Sequence, residues 1–337
     1  MTSLAVAATR RRIATGTPSR FTSITTTLAN QLHGQNHLLQ RPVSHKHIQT
    51  SSMATVAPVI ALSHGGGPMP VLGDPGHKSI IASLQKRVPK LLKLGTPEQP
   101  RAIVVVTAHW STDKPTISSG SSHKLYYDYY GFPKESYALK YPAPGHPEVA
   151  RELRDALAGE GVAAVLDDDR GWDHGVFIPL LLIHPKADIP VVQVSVLGSE
   201  DPEAHLRMGR ALAKLRASNV AILGSGFASF HNLGIMRQLT MAPAKQRAEF
   251  RTASDLWNET LSDAVSKPDA AARWDALKGW RKFPFADIMH PPHGGEHFMP
   301  LLVCAGAAAE NEQTRKYADE FVGLDINTFY WGAEEVK

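Results

Sequence analysis

The sequence predicts an α/β protein, a single domain with a central, mostly parallel sheet flanked by helices. Short apolar runs of strand length alternate along the chain with segments whose apolar residues recur at helical spacing. Such alternation is typical of parallel sheets, whose strands are joined by crossover helices. The chain has 337 residues, 43% of them hydrophobic, which is enough to bury a full core within one large domain.

The first half of the predicted domain contains two strands, two helices and a long loop. Residues 56–62 and 102–107 are apolar runs that predict buried strands. Residues 79–94 and 147–158 carry apolar side chains at helical spacing, and each segment is followed by a glycine, a common residue after a helix end. Residues 126–147 are rich in aromatic residues, proline and glycine, so we expect a loop over the sheet.

The second half continues the alternation. Short apolar runs predict three further strands at 162–166, 190–196 and 220–223. Between the last two, the apolar residues of 202–217 recur at helical spacing and predict a helix. The other segments predicted to be helical are 177–183 (a short helix or buried segment), 244–266, 268–282 and 296–309.

The first 53 residues differ in composition from the rest of the chain. They contain six basic residues and no Asp or Glu, and the first acidic residue is Asp74. This Arg-, Ser- and Thr-rich composition is typical of a mitochondrial transit peptide. The alternative is a disordered tail in front of a cytosolic form that starts at Met53. We therefore expect a basic leader at 1–53, a folded domain at 54–337, and a mitochondrial or cytoplasmic location.

Charge and cysteine content exclude several classes of function. Without the six basic residues of the leader, the chain has 30 basic and 32 acidic residues, so the formal net charge of +4 does not indicate a nucleic-acid partner. No apolar run approaches the roughly 20 residues that span a membrane. The single cysteine, Cys304, excludes an internal disulfide and a cysteine-based zinc site. A metal site would therefore have to use carboxylates and some of the 16 histidines.

Several histidines lie where predicted strands end. His64 and His109 each follow a strand within two residues, and His231 comes shortly after the strand at 220–223. A fourth, His297, lies at the start of the last predicted helix. Because the carboxyl ends of parallel strands meet at one edge of a sheet, we expect these side chains to share a metal site there. Each one alone would be read as an ordinary core histidine.

Such a site leaves the metal and the exact ligand set open. Imidazoles with at most one carboxylate suit Zn, Fe, Cu or Ni, and three protein ligands leave positions for other molecules. Glu296 and His297 are adjacent, so we expect only one of them to reach the ion. That choice decides between three histidines and two histidines with one carboxylate.

Six short motifs, in the same order, resemble the class III extradiol aromatic ring-opening dioxygenases, in the branch that includes DOPA 4,5-dioxygenase. The resemblance covers residues 58–310. The motifs are Ser63-His64-Gly65 with Pro68-Met69, Ala108-His109-Trp110, Gly131-Phe132-Pro133 within the aromatic block 126–133, Asp173-His174-Gly175, Gly224-Ser225-Gly226 with His231-Asn232, and Glu296-His297-Phe298 with Pro300-Leu301.

The resemblance implies a role for five histidines. His64, His109 and His297 look like the ligands of one divalent metal ion per chain, Zn(2+) or Fe(2+). His231 looks like the catalytic acid/base, close enough to make a fourth contact to the metal. His174 resembles a catalytic residue behind the ligands that contacts the substrate.

The reaction implied by the resemblance opens the ring of a small aromatic diol, DOPA-like, with O2. The protein must remove a proton from the second hydroxyl and return one as the ring opens, which suits an imidazole that titrates near neutrality. We expect Asp128 and Tyr129 in the aromatic loop to bind the substrate, with Lys140 as a further polar contact. The alternative is that this loop only packs against the surface.

Departures from the family pattern bear on the substrate. The glycine run after His64 is long, and the loop between Pro291 and Glu296 is lengthened, both near the expected mouth of the site. Two functions from other classes remain open at this point: a zinc hydrolase that uses the same histidines to activate water, and a non-catalytic binding protein on this fold. Consumption of O2 would exclude the first, and retention of metal would argue against the second.

Overall fold

The computed structural model describes residues 56–336. The predicted leader, residues 1–53, lies outside this part of the chain, so both interpretations of it stay predictions. The described residues form one α/β domain around a sheet of eight strands, as the sequence predicts. None of the helices in this part of the chain is long and apolar enough to cross a membrane.

The strands and helices alternate over most of the domain. The strands are β1 (Val59–Ser63), β2 (Ala102–Thr112), β3 (Thr116–Ser118), β4 (Val165–Asp167), β5 (Val191–Leu197), β6 (Val220–Gly226), β7 (Arg315–Phe321) and β8 (Leu324–Trp331). The helices are α1 (Lys78–Leu91), α2 (Pro147–Gly159), α3 (His174–Ile183), α4 (Pro202–Arg216), α5 (Leu233–Met241), α6 (Ala244–Val265), α7 (Ala270–Lys278), α8 (Ala286–Met289) and α9 (Met299–Ala307).

The centre of the sheet is parallel. Its spatial order is β4-β3-β5-β2-β6-β1-β8-β7, and the neighbours β5, β2, β6 and β1 all run in the same direction. Every residue of β1, β5 and β6 is buried, because helices cover both faces. The carboxyl ends of β1, β6 and β2 therefore lie side by side at one edge.

Glycines in β6 allow α9 to pack directly on the sheet. All nine residues of α9 are buried. A Cβ on Gly224 would lie 2.7 Å from the carbonyl oxygen of Pro300, and one on Gly226 would overlap the carbonyl oxygen of His297. The backbone N–H of Phe227 donates to that same His297 oxygen at 2.8 Å. This close approach fixes His297 against the end of β6.

Most predicted elements are confirmed, with shifted boundaries. The strand predicted at 102–107 continues to Thr112, because β2 resumes pairing with β5 after an irregularity between Thr107 and Ser111. The helix predicted at 268–282 ends at Lys278, since Gly279 follows and only a short 3₁₀ turn comes after it. The helix predicted at 296–309 begins three residues later, at Met299. The hairpin β7–β8, helix α5 and the short strand β3 were not predicted.

A buried ion pair ties the C-terminal hairpin to the rest of the domain. The side chain of Arg216 is 1% exposed and donates to both carboxylate oxygens of Glu312 at 2.5 and 2.8 Å. It also donates to the carbonyl oxygens of Ala57 and Ala307 at 2.8 Å. Burial alone would raise the pKa of the Glu312 carboxyl, but the guanidinium outweighs this and holds that pKa below its usual value.

Glu312→Ala should therefore lower the free energy of unfolding by about 3 kcal/mol, since it leaves a buried cation without its carboxylate. The folded-state pKa is lowered, so the stabilisation is complete above the ordinary value of 4.5 and is lost as the pH falls through the lower folded value. Urea denaturation at pH 7 and at decreasing pH measures the effect. The exposed Glu335→Ala is the control and should change stability by less than about 0.5 kcal/mol. A wild-type advantage undiminished at low pH would contradict this role.

Candidate active site

Three of the predicted histidines meet at the carboxyl edge of the sheet. His64 follows β1, His109 lies in the irregular stretch of β2, and His297 lies just before α9. Nε2 of His109 is 3.1 Å from Nε2 of His64 and 3.2 Å from Nε2 of His297. The three nitrogens all lie within 4.8 Å of one another. The structure thus brings together the three side chains that the sequence proposed as metal ligands.

Hydrogen bonds behind the rings of His64 and His297 determine which nitrogen faces the others. Nδ1 of His64 lies 3.0 Å from Oγ of Ser225, whose hydroxyl donates to the carbonyl oxygen of Gly175. A carbonyl can only accept, so the serine oxygen must accept from Nδ1–H. Nδ1 of His297 donates to Oε1 of Glu296 at 2.8 Å. In both neutral rings the unprotonated Nε2 therefore faces the centre.

His109 is oriented by a chain of contacts on the same side. Its Nδ1 lies 3.6 Å from Oδ2 of Asp128, and its backbone N–H donates to Oγ1 of Thr107 at 3.1 Å. Thr107 in turn donates to Oδ1 of Asp173 at 2.8 Å. Asp173 is fully buried, and burial together with the nearby Asp128 charge raises its pKa to about 6. The position of His109 is thus set by polar contacts as well as by the strand.

Burial keeps the three histidines neutral. It lowers the pKa of His64, His109 and His297 well below the ordinary value, and the neighbouring histidines lower each pKa further. Neutral imidazole is the form that binds a metal ion. Nε2 of His109 lies close to the unprotonated Nε2 atoms of His64 and His297, and a cation or a proton between these nitrogens is needed to offset the repulsion of their lone pairs, so the arrangement suits a bound cation.

The spacing also fits a divalent ion. A zinc–nitrogen distance of about 2.0–2.1 Å separates two ligand nitrogens by roughly 2.8–3.4 Å at angles between about 90° and 110°. The observed separations of 3.1 and 3.2 Å fall within that range. Glu296 forms, with His231 and His297, a second group whose ligand atoms lie within 4.8 Å of one another. Because Glu296 accepts a hydrogen bond from His297, whereas Nε2 of His109 lies 3.1 and 3.2 Å from its neighbours, the distances favour the group of three histidines.

His231 lies beside the three histidines without joining them. Its ring stacks on that of His297, with centroids 3.4 Å apart and an interplanar angle of 13°. Its Nδ1 is 3.9 Å from Oε1 of Glu296. Burial lowers the pKa of His231 to about 4, although the Glu296 charge opposes this, so the ring is neutral at pH 7. This pKa is lower than the near-neutral value expected from the sequence. Because His231 also belongs with Glu296 and His297 to a group that could hold a metal ion, its fourth contact to the metal stays a prediction.

His174 and Asp128 form a second pair beside the site. Asp128 accepts from both the backbone N–H of His174, at 2.9 Å, and its Nδ1, at 2.8 Å. Burial would raise the pKa of Asp128, but these hydrogen bonds outweigh it and hold that pKa below its usual value. The sequence suggested Asp128 as a substrate contact, whereas the structure places it against His174 and His109. It orients histidines and does not line the cavity described next.

A cavity of about 410 Å³ opens over the histidines. Tyr129 lines it as the sequence suggested, but its hydroxyl donates to the carbonyl oxygen of Ser136 at 2.7 Å. Lys140 is exposed and lies outside the lining. The lining residues are His64, Gly65, Gly66, Gly67, His109, Tyr129, Phe132, His174, Phe227, His231, Leu233, Met236, Glu296, His297 and Phe321.

Several residues that line the cavity or orient the histidines were not identified from the sequence. Ser225 belongs to a motif, yet its contact with His64 depends on the register between β1 and β6. Phe227 and Phe321 reach the cavity from elements far apart in the chain, and Phe321 ends an unpredicted strand. The sequence offered one indication of the role of Ser225: it is a hydroxyl residue near the end of a buried strand, and His64 follows another such strand.

Ser225→Ala should weaken metal binding about tenfold or more, because residues that orient a ligand typically contribute 10–100-fold to affinity. The variant removes the acceptor for Nδ1–H of His64 and leaves the ligand in place. Competition with a chromophoric chelator measures the affinity. Ser63→Ala is a matched control, since Ser63 is buried next to His64 and its hydroxyl has no partner in the described part of the chain. Equal affinities in the two variants would contradict the role of Ser225.

Known proteins resemble this chain in sequence and in fold. Residues 58–324 match the family described as the catalytic LigB subunit of aromatic ring-opening dioxygenase. Dioxygenase tasH of Hapsidospora irregularis is 57% identical over 292 residues, which cover 85% of this chain and 89% of that protein. The 4,5-DOPA dioxygenase extradiol of Beta vulgaris is 36% identical over 253 residues, 75% and 87% of the two chains. The crystal structure of an uncharacterized Escherichia coli K12 protein aligns with a TM-score of 0.60 at 28% identity, over 81% of this chain and 99% of that one.

The two curated relatives are named dioxygenases, and the solved structure shares the fold. A chain with this α/β domain and these similarities is an extradiol ring-cleaving dioxygenase, and therefore an oxidoreductase. It belongs to the LigB family of aromatic ring-opening dioxygenases. The resemblance carried by the six sequence motifs is thereby confirmed. The family implies an aromatic substrate and O2, and the described residues hold a histidine cluster that could bind a metal ion.

Proposed function

We propose that residues 54–337 form a metal-dependent extradiol dioxygenase domain that opens the ring of a catechol-type substrate with O2. One observation carries this proposal: the Nε2 atom of His109 lies 3.1 and 3.2 Å from those of two other buried imidazoles, beneath a cavity of about 410 Å³. Cavities of this size suit small organic ligands. The shape and donor set thus match a reaction in which a diol and O2 meet beside one ion.

His64, His109 and His297 would hold the ion, Zn(2+) or Fe(2+). When bound, a divalent ion lowers the pKa of coordinated hydroxyls and offers open positions to substrate and O2. The donor set of three imidazoles suits either metal. Because the ligand rings are held by Ser225 and Glu296 from behind, the site is organised before substrate arrives.

His231 would accept and return the proton of the substrate, and His174 would orient the substrate. His231 is neutral at pH 7 and lines the cavity, so it can accept the proton of the second hydroxyl. Glu296, 3.9 Å from its Nδ1, stabilises the imidazolium that forms and favours return of the proton as the ring opens. His174 donates Nδ1–H to Asp128, which leaves Nε2 free to accept a hydrogen bond from the substrate.

The proposal is tested with protein loaded anaerobically with Fe(II) and, separately, with Zn(II). DOPA is the first substrate, because relatives from Beta vulgaris and Escherichia coli are named 4,5-DOPA dioxygenase extradiol. We expect O2 uptake in step with loss of the catechol and formation of a yellow ring-fission product. A zinc hydrolase would consume no O2. A binding protein would consume no O2 and leave the catechol unchanged.

A further inference from the structure

Beyond the histidines, the wall of the cavity is apolar and largely aromatic. Phe227 packs edge-on against His64, with ring centroids 5.3 Å apart. The ring centroid of Phe321 lies 6.3 Å from that of Phe227 on the same wall. On the other side Tyr129 packs edge-on against Phe132 at 5.5 Å. The metal end of the cavity is therefore polar, and the part that would hold the rest of a substrate is hydrocarbon.

The apolar surface continues to the rim on helix α5. Leu233 and Met236, one helical turn apart, both line the cavity, and Leu233 is 59% exposed. An exposed leucine at the mouth of an apolar cavity provides surface that a bound molecule would cover. A bare catechol ring would fill only part of the 410 Å³. The rim thus favours a ring with a substituent.

The charges around the cavity disfavour an anionic substituent. Among the described residues the lining contains no Lys or Arg, and its one carboxylate is Glu296. Arg170, behind His109, is engaged by the carboxylate of Asp173 and by the rings of Trp110 and Tyr126. A carboxylate placed in this cavity would lose its hydration without gaining a cation, and Glu296 would repel it.

The polar groups on and near the wall are not available to a substituent. The Tyr129 hydroxyl is committed to the carbonyl oxygen of Ser136, and Lys140 stands outside the lining. Arg237, although on α5, is exposed and does not line the cavity either. Within the part of the chain that the structure describes, no lysine or arginine therefore lines the surface that would contact the substituent. An amino acid or an aromatic acid would need such a cation to pair with its carboxylate.

We infer that the preferred substrate is a catechol whose ring substituent is uncharged and apolar, rather than a catechol bearing a carboxylate. This inference rests on the proposed ring-opening function and narrows it. Phe321, Phe132 and Met236 are the residues that set the preference, because they form the hydrocarbon wall. Apolar burial contributes about 0.8 kcal/mol per methylene, which corresponds to about fourfold in affinity for each one.

Three catechols of equal length provide the test. 4-Propylcatechol, dihydrocaffeate and dopamine carry the same two methylenes and end in a methyl, a carboxylate and an ammonium group. Anaerobic titration calorimetry of the metal-loaded full chain gives each dissociation constant, and O2 uptake gives each kcat/KM. We expect 4-propylcatechol to have a dissociation constant at least about tenfold lower, and a kcat/KM at least about tenfold higher, than dihydrocaffeate. Equal or better use of dihydrocaffeate, or a preference for dopamine through Glu296, would overturn the inference.

Two variants on α5 sharpen the experiment. Met236→Arg places a cation in the wall, and we expect it to shift the ratio of dihydrocaffeate to 4-propylcatechol at least about tenfold toward the acid. Arg237→Gln is the control and should leave both values unchanged, since Arg237 does not line the cavity. A selective loss of dihydrocaffeate turnover in Arg237→Gln would show that this cation serves the substrate, and would overturn the inference.

The two readouts separate this inference from the proposed function. Tighter binding of 4-propylcatechol without any O2 uptake would refute the dioxygenase reaction and retain the preference for an apolar ring substituent. Ring opening of every catechol, with dihydrocaffeate preferred in both measures, would retain the reaction and refute the preference. Loss of all binding would refute both.

Discussion

His64→Ala should abolish metal retention and, with it, ring opening. The side chain supplies one of three nitrogens that lie within 4.8 Å of one another, 3.1 Å from Nε2 of His109, and it is buried, so no solvent-exposed group can take its place. We expect the affinity for metal to fall by more than about 100-fold, the upper end of what loss of an orienting residue behind a ligand costs. Elemental analysis of the purified variant, beside a catechol assay, measures both effects.

Two further variants make this result interpretable. His109→Ala removes a ligand that is less buried and so carries less risk of misfolding; it should lose metal equally. His184→Gln changes a buried histidine that pairs with Asp188 and lies outside the cavity, and it should keep its metal. Stoichiometric metal in folded His64→Ala protein would refute the ligand assignment.

His231→Ala should retain metal but lower kcat by about 10²–10⁴-fold, the usual contribution of a general acid or base. His231 stacks on the ring of His297 instead of pointing a nitrogen into the centre, so the three ligands stay in place without it. Its side chain lines the cavity, where it can reach a substrate hydroxyl. The measurement pairs metal content with the rate of ring fission under saturating O2.

The two ways in which this prediction can fail have different meanings. Loss of metal from His231→Ala would show that His231 is a fourth ligand, as the sequence left open. Retention of more than about a tenth of the wild-type rate would leave it no role as the acid/base. Phe227→Leu is a useful companion, because it alters the same wall without removing a titratable group.

The parallel core and the histidines at its edge were predictable because both have local signatures. Buried parallel strands read as continuous apolar runs, and β1, β2, β5 and β6 are such runs. His64 follows β1 directly, so its place at the carboxyl edge follows from strand direction alone. Because the carboxyl ends of parallel strands meet at one edge, the same reasoning predicts that His109 and His231 lie near it, whereas His297 precedes a helix and depends on how α9 packs.

The missed elements have weak or contrary local signals. Strand β3 has three residues, too few for an alternating pattern. The hairpin β7–β8 turns at Val322 and Gly323, both with positive φ, and a β-branched residue rarely adopts that conformation. Helix α5 did carry a signal, since the Asn232 side chain caps it by accepting from the N–H of Ile235.

The partners behind the ligands depend on tertiary contacts that sequence spacing does not encode. Asp128 lies in an aromatic loop, and only folding reveals that it contacts His174 rather than the cavity. The glycine run after His64, which the sequence places near the expected mouth of the site, lines the cavity. Gly65 also has a positive φ and no room for a Cβ beside Pro70, so backbone geometry requires glycine there as well.

The proposed function requires this protein to add both atoms of O2 to a catechol ring. It is tested most directly by turnover of 4-propylcatechol and DOPA with Fe(II)-loaded protein under heavy-isotope-labelled O2, followed by mass spectrometry of the ring-fission product. We predict that both labelled oxygen atoms appear in the product, with one O2 consumed for each catechol opened. A product whose new oxygen comes only from water, with no O2 consumed, would contradict the claim and identify a hydrolase.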